Sequence, residues 1–311
     1  MSDRPITPAI PTPVIEVQDF RMAFGDQVVI DDLSFDVRAG ETFGLLGSNG
    51  SGKTTTIRAL LGIYQPTAGR LLVEGRRFDP AQGSRLGYLP EERGLYRKES
   101  VIDVMVYFGR LKGLSRDQAD AWSRTFLERV GLQNHAKVRL DKLSGGQQQK
   151  VQLGVTIMNA PSILILDEPT KGFDPVNRRL LMDLVDEQRA QGSTVIMVTH
   201  QMDEVERLCD RILLLKDGRA EAYGTVAEVQ DAFGGRRMRL SFSGVLPDSA
   251  NYRVAVRERN YAELELPEGT DTSTVLRELL DAGVQLRDFS TARVSLEEIF
   301  LKVYGDEEVA A

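Results

Sequence analysis

The run Gly47-Ser48-Asn49-Gly50-Ser51-Gly52-Lys53-Thr54 sets three glycines, a lysine and a hydroxyl at fixed spacing, with Thr55 extending the hydroxyls. Glycine lets backbone N–H groups close on a polyphosphate where a Cβ would intervene. Lys53 brings mobile positive charge to the outer phosphates, and the Thr54 hydroxyl suits a magnesium ion. A second chemical element is the pair Asp167-Glu168 behind the apolar run Ile163–Leu166. Successive strand residues point to opposite faces, so the two acids cannot share one task. Asp167 is expected at the metal, and Glu168 at an attacking water as general base. His200 follows the strand-like run Thr194–Thr199 and is expected to contact a terminal phosphate. Leu143-Ser144-Gly145-Gly146-Gln147 precedes a helical pattern, so Ser144 and the glycine amides form a second anion-binding helix start. Together these residues predict phosphate chemistry on a nucleotide, with Lys53, Glu168 and His200 as the catalytic set.

These groups need strands ending at a common edge and helices beginning there. Short β-favouring runs at Val14–Phe20, Val28–Ile30, Ser34–Val37 and Thr42–Leu46 open the sheet, and Lys53–Leu61 follows as a helix closed by Gly62. A turn at Pro66–Gly69 leads into the strand Arg70–Glu74. Between 101 and 130 the apolar positions recur at helical spacing through Val104, Met105, Phe108, Trp122 and Phe126, which marks a helical insertion. Ile163–Leu166 and Thr194–Thr199 are near-continuous apolar runs separated by the helix Arg178–Ala190, the order of a parallel sheet covered on both faces. Beyond Gly234 the pattern becomes strands at Met238–Phe242, Tyr252–Val256 and Tyr261–Leu266, a helix at Ser273–Ala282, and a last helix at Leu296–Val303. Ser295 and Glu298 predict a capping box for that helix, and Val294 and Ile299 a hydrophobic staple. The expected division is a proline-rich leader over 1–13, a domain over 14–234 with its helical subdomain at about 92–158, and an α+β unit over 235–311.

Composition narrows the rest. With 41% hydrophobic and 27% charged residues in 311, the chain is an ordinary globular protein. A net charge of -7, without a basic run, argues against nucleic acid as a partner. One cysteine, Cys209, excludes an internal disulfide, and with only two histidines the composition argues against a protein-built zinc cage; Cys209 reads as an inert small hydrophobe and His135 receives no function. No apolar stretch reaches the roughly 20 residues of a membrane span, so any membrane role comes through a partner.

The phosphate loop at 47–54, the serine-glycine-glycine signature at 143–147, Asp167-Glu168 and His200 stand in the order found in ATP-binding-cassette nucleotide-binding domains, which the chain resembles over about 14–234. The resemblance implies an α/β phosphate-loop NTPase with a helical insertion, ATP and Mg2+ as ligands, and a head-to-tail homodimer. In that dimer the signature of one chain closes on ATP held by the other. It also implies that Phe24 stacks on adenine, although packing beside Phe20 is an alternative, and that Asp174 belongs to a loop crossing the dimer interface. One position departs from the pattern: Glu91 stands where a glutamine is usual, and would either ligate magnesium or sit away from the site until a partner moves it. With the small C-terminal domain and the helix Ser295-Leu-Glu-Glu-Ile-Phe300, this resembles the type 2 exporter branch of sodium-efflux and daunorubicin-resistance ATPases.

The resemblance therefore implies an ATPase subunit driving a separate polytopic membrane permease from the cytoplasmic face of the plasma membrane. A soluble cassette ATPase, such as an iron–sulfur cluster assembly factor, is the alternative. The expected docking stretch is Glu91–Val101, with Leu95, Tyr96 and Val101 as apolar anchors beside Arg93, Arg97 and Lys98.

Overall fold

A computed structural model describes residues 13–79, 83, 85–92, 94–234, 236–267 and 269–308. The chain divides into two compact units, 1–223 and 224–311. The first unit runs β1 (Pro13–Phe24), β2 (Gln27–Arg38), β3 (Thr42–Leu46), α1 (Lys53–Leu60), β4 (Ala68–Val73), β5 (Leu86–Leu89), α2 (Val101–Leu111), α3 (Arg116–Arg129), α4 (Gly145–Ile157), β6 (Ile163–Asp167), α5 (Pro175–Ala190), β7 (Thr194–Val198), α6 (Met202–Leu208), β8 (Arg211–Lys216) and β9 (Arg219–Thr225). Residues 1–12 of the proline-rich leader lie outside the described residues.

The central sheet has the order β5-β6-β7-β3-β8-β9, and β5 through β8 pair in parallel. Every residue of β3, β6 and β7 is buried, as expected of strands covered on both faces. Ligands of such sheets bind beyond the carboxyl ends of the strands, and the phosphate loop follows β3 while Asp167 ends β6. An antiparallel sheet β2-β1-β4 contributes Phe20, Ile30 and Leu33 to a core shared with Phe43, Leu45, Ile57 and Leu213. The two strands expected at 28–30 and 34–37 are one strand, β2. Asp32 adopts φ 58°, and the register with β1 shifts between Phe20 and Met22. This irregularity carries the ladder through two β-depleted aspartates that look like a turn in sequence.

The helical insertion is α2 to α4. Ser100 and Ser115 cap α2 and α3, and Ser115 closes a capping box with Gln118. Val101 is fully buried at the first turn of α2, with its N–H donating to Val138 O at 3.0 Å. It is therefore core, not the surface anchor expected of it, and Arg93 lies outside the described residues. Tyr107, on the outer side of α2, is 45% exposed instead and makes ring contacts with Tyr96 and Phe108.

The second unit comprises α7 (Val226–Gly234), β10 (Arg236–Ser243), β11 (Arg253–Arg257), β12 (Tyr261–Leu266), α8 (Thr272–Asp281), β13 (Gln285–Arg293) and α9 (Leu296–Glu308). Its antiparallel sheet, β11-β12-β10-β13, packs Met238, Leu240, Phe242 and Leu264 against Val275 and Leu279 of α8. The boundary falls earlier than residue 234. Helix α7 belongs with this unit, joined by an Arg293–Asp231 ion pair at 3.0 Å and by Lys302 Nζ donating to Phe233 O at 3.1 Å. At the start of α9, Ser295 Oγ accepts from Glu298 N at 3.2 Å, while the Glu298 carboxylate pairs with Arg237. Val294 and Ile299 are both buried there.

Candidate active site

The phosphate loop is shaped by crowding. A Cβ on Gly47 would lie 2.4 Å from Leu215 O and from Ser51 Oγ, and one on Gly52 would lie 2.3 Å from Ile30 Cδ1. Gly52 also adopts φ 108° and caps α1 without a side-chain hydrogen bond, so the amides of the first helical turn point into the loop. Uncapped first-turn amides and the helix dipole favour an anion at that spot. Lys53 Nζ donates to Gly47 O and Ser48 O, both at 2.8 Å, which folds the ammonium over its own loop. Burial pushes the lysine pKa down, against the pull of Glu168, Asp167 and Glu91. Thr54 and Thr55 are half-buried on the first turn of α1, and Asn49 and Gly50 are exposed at the loop tip.

Asp167 is buried at 3% exposure, and its carboxyl is pushed up to about 6, first by burial and then by Glu91 and Glu168. Glu168 leaves the strand altogether: it adopts φ 48° and donates its N–H to Val198 O at 2.7 Å. The two acids thus separate through a left-handed backbone step and not through strand alternation. A non-glycine residue held there costs on the order of 1–3 kcal/mol, a strain that clusters at working sites. Nδ1 of His200 lies 2.9 Å from Glu168 Oε1, with the histidine 56% exposed and the carboxylate only 12%. His200, expected at a terminal phosphate, stands beside the carboxylate of the base candidate.

Ser144 caps α4 in a closed capping box: its Oγ accepts from Gln147 N at 3.3 Å, and Gln147 Oε1 accepts from Ser144 N at 2.9 Å. The hydroxyl proton and the Gly145 and Gly146 amides remain for an anion. Asp174 caps α5 by accepting from Asn177 N at 2.9 Å, with Pro175 at the first helical position, and its carboxyl is held below the usual range by that amide. Phe24 is 44% exposed while Phe20 is fully buried, so Phe24 is not a core residue as Phe20 is. Its ring stands edge-on to Tyr64 with centroids 5.3 Å apart, and Tyr64 OH accepts from Arg58 at 3.1 Å. Glu91 accepts from Lys171 Nζ at 2.6 Å. Cys209 is buried, with its thiol pushed up by desolvation.

Among the described residues no three His, Cys, Asp or Glu side chains converge to hold a metal ion. Asp167 and the Thr54 hydroxyl suit a divalent cation that arrives with phosphate oxygens completing its shell. The crowded carboxylates around Lys53 fit that charge.

The family described as "ABC transporter" matches residues 30–171, and the one described as "ATP-binding protein DrrA1-3-like, C-terminal domain" matches 224–304. The Nod factor export ATP-binding protein I of Bradyrhizobium diazoefficiens is 34% identical over 301 residues, covering 94% of this chain and 97% of that one. The chain belongs to the ABC transporter family. Its nucleotide-binding unit is an ATP-binding cassette, an ATPase, and such subunits work with membrane permease partners. The linearmycin resistance ATP-binding protein LnrL of Bacillus subtilis is 30% identical over 309 residues, covering 94% of this chain and 98% of that one. A solved structure titled "Structure of ATP binding subunit of ABC transporter" superposes with a TM-score of 0.66 at 29% identity, over 71% of this chain and 93% of that one. The C-terminal match agrees with the exporter-branch resemblance and gives no support to the iron–sulfur alternative. Among the described residues no helix of the cassette subunit is long and apolar enough to cross a membrane.

Three residues that sequence reasoning passed over tie the cassette's motifs together. Gln148, Gln149 and Gln152 of α4 are buried, and their side-chain amides donate to Leu143 O at 2.9 Å, Pro169 O at 3.3 Å, and Pro90 O and Glu92 O at 3.2 and 3.1 Å. The signature helix thereby holds the backbone beside Glu168 and beside Glu91. Its mark in sequence is a run of glutamines in a helix that is otherwise core.

Proposed function

We propose that this chain powers export through a separate polytopic permease, working as a homodimer that closes head to tail on two molecules of ATP with Mg2+. The carrying observation is the pairing of the cassette with a DrrA1-3-like C-terminal domain, in a chain that aligns almost end to end with proteins named for Nod factor export and linearmycin resistance. The geometry supports the following roles. The loop amides of 47–54 bind the phosphates and Lys53 neutralises them. Phe24, supported by Tyr64, stacks on adenine, and Ser144, Gly145 and Gly146 of the second chain cover the terminal phosphate. Asp174 presents the α5 start to the dimer interface. Glu168, oriented by His200, takes the proton of the attacking water; Thr54 and Asp167 would hold a magnesium ion, which would supply charge neutralisation on the phosphate oxygens. Glu91, tied to Lys171, stays off the metal until a partner displaces it.

The ring cluster of exposed Tyr96 and Tyr107 with half-buried Phe108 supports the helical insertion as the face that meets the permease. That reading places the subunit at the cytoplasmic face of the membrane, with nucleic acid outside its partners. Purification in mild detergent should recover the chain with a polytopic membrane protein. Changing Tyr96 and Tyr107 to aspartate should lose that protein while ATP binding persists. Recovery of the whole pool with iron–sulfur, ribosomal or DNA-repair components would overturn the proposal.

A further inference from the structure

Glu204 is a buried acid that the chemistry above does not use. It lies in the first turn of α6 at 2% exposure, and burial pushes its carboxyl up while Thr170 and Arg178 act in the opposite direction. Its nearest cation, Arg178 Nε, stands 3.6 Å from Oε1. Among the described residues neither carboxylate oxygen, nor Arg178 Nε, has a well-formed hydrogen bond, although the Thr170 hydroxyl stands close enough to favour the ionised carboxylate. A buried charge pair left loose is expensive, and an apolar pair of like volume is often the more stable choice. Plain stability is a poor reason for these two side chains.

Their placement offers a better one. Thr170 lies two residues beyond Glu168, Arg178 four beyond Asp174 in the first turn of α5, and Glu204 four beyond His200. The three segments that carry the base candidate, the interface aspartate and the orienting histidine therefore converge on one carboxylate. Closing the 3.6 Å gap to a charge-assisted hydrogen bond of about 2.8 Å requires a movement under an ångström. Such a movement shifts the start of α5 against the His200 turn. We propose that Glu204 is a positioning residue, which sets the His200–Glu168 hydrogen bond when Arg178 and Thr170 draw onto its carboxylate. The inference rests on the reading of Glu168 and His200 as the groups that serve the terminal phosphate.

The test uses the full-length chain carrying Glu204→Gln, Glu204→Gln with Arg178→Met, or Glu168→Gln, and measures kcat and KM for ATP beside the melting temperature. Glu204→Gln should lower kcat about 10- to 100-fold, the size expected of a misplacement near 1 Å, with KM for ATP unchanged. The double variant removes the guanidinium, which would keep only its long 3.8 Å pairing with Asp203, and should melt like the parent while kcat stays low, a split that a merely structural role would not produce. Should the single variant fail to fold, the double variant decides alone. Parental kcat in a folded Glu204→Gln or in the double variant overturns the proposal. Glu168→Gln separates the two levels of the inference. If that variant loses turnover while the double variant keeps it, only the positioning role fails; if Glu168→Gln itself keeps parental turnover, the underlying reading fails.

Discussion

Replacing Gly52 by alanine tests whether the phosphate loop is held by close approach or merely by flexible sequence. Two separate costs can be taken from the structure. The φ of 108° places Gly52 where an L side chain is strained, for which about 1–2 kcal/mol is ordinary. The new Cβ would also sit 2.3 Å from Cδ1 of the fully buried Ile30, and overpacking of that kind costs roughly 1–3 kcal/mol. The sum is about 2–5 kcal/mol, which in a unit of this size lowers the melting temperature by roughly 4–20 °C. Gly50→Ala is the internal control. Its φ of 83° carries the same strain, but nothing lies within 4 Å of its Cβ, so only about 1–2 kcal/mol and roughly 2–8 °C should be lost. Shortening the neighbour with Ile30→Val should restore part of the Gly52→Ala loss, giving a coupling of at least about 0.5 kcal/mol in the double-mutant cycle. Thermal unfolding by circular dichroism reads all five chains, the parent included, and titration with a fluorescent ATP analogue should show weaker binding by Gly52→Ala. Equal melting temperatures for the two alanine variants, or strict additivity with Ile30→Val, would refute the close-approach account.

Other consequences follow from the same geometry. Because the Asp167 carboxyl is raised to about 6 from an ordinary value of 3.8, the folded chain binds a proton between those values that the unfolded chain does not. The associated stability is therefore present below about pH 4 and lost as pH rises through about 6, at most about 3 kcal/mol for the nucleotide-free chain. Asp167→Asn should flatten that part of a denaturation profile, and an unchanged profile would contradict the assignment. Phe24→Ala should weaken ATP binding by about 2- to 13-fold if the ring stacks on adenine, as an aromatic pair contributes about 0.5–1.5 kcal/mol, with Phe24→Trp keeping the affinity; parental affinity in the alanine variant would leave Phe24 without that role.

The strands β3, β6 and β7 were legible because burial on both faces leaves a continuous apolar run, and the phosphate loop because glycine, lysine and threonine each have a chemical reason for their place. The convergence of Glu168 and His200 was less legible. It depends on a positive φ at a non-glycine residue, which no local pattern announces. Strand β2 hid behind Asp31-Asp32, since a bulge and a turn draw on the same residues. The place of Val101 is not legible in sequence, because an apolar residue at the first turn of a helix faces the core or the solvent according to the helix's rotation. Here Val101, Val104 and Met105 share the buried face, whereas Tyr107 does not. Strand β13 lies among polar residues whose pairing is decided by the sheet it joins, not by its own periodicity.

The central claim is that Glu168 acts as the general base of an ATP-closed dimer, and the most direct measurement is ATP turnover by Glu168→Gln together with its mass in solution with ATP and Mg2+. Turnover should fall by on the order of 10²–10⁴, the usual contribution of such a group, while ATP stays bound and the chain elutes as a dimer in sizing chromatography with light scattering. Turnover within a few-fold of the parent, from a chain that remains monomeric at saturating ATP, would contradict both the base and the dimer.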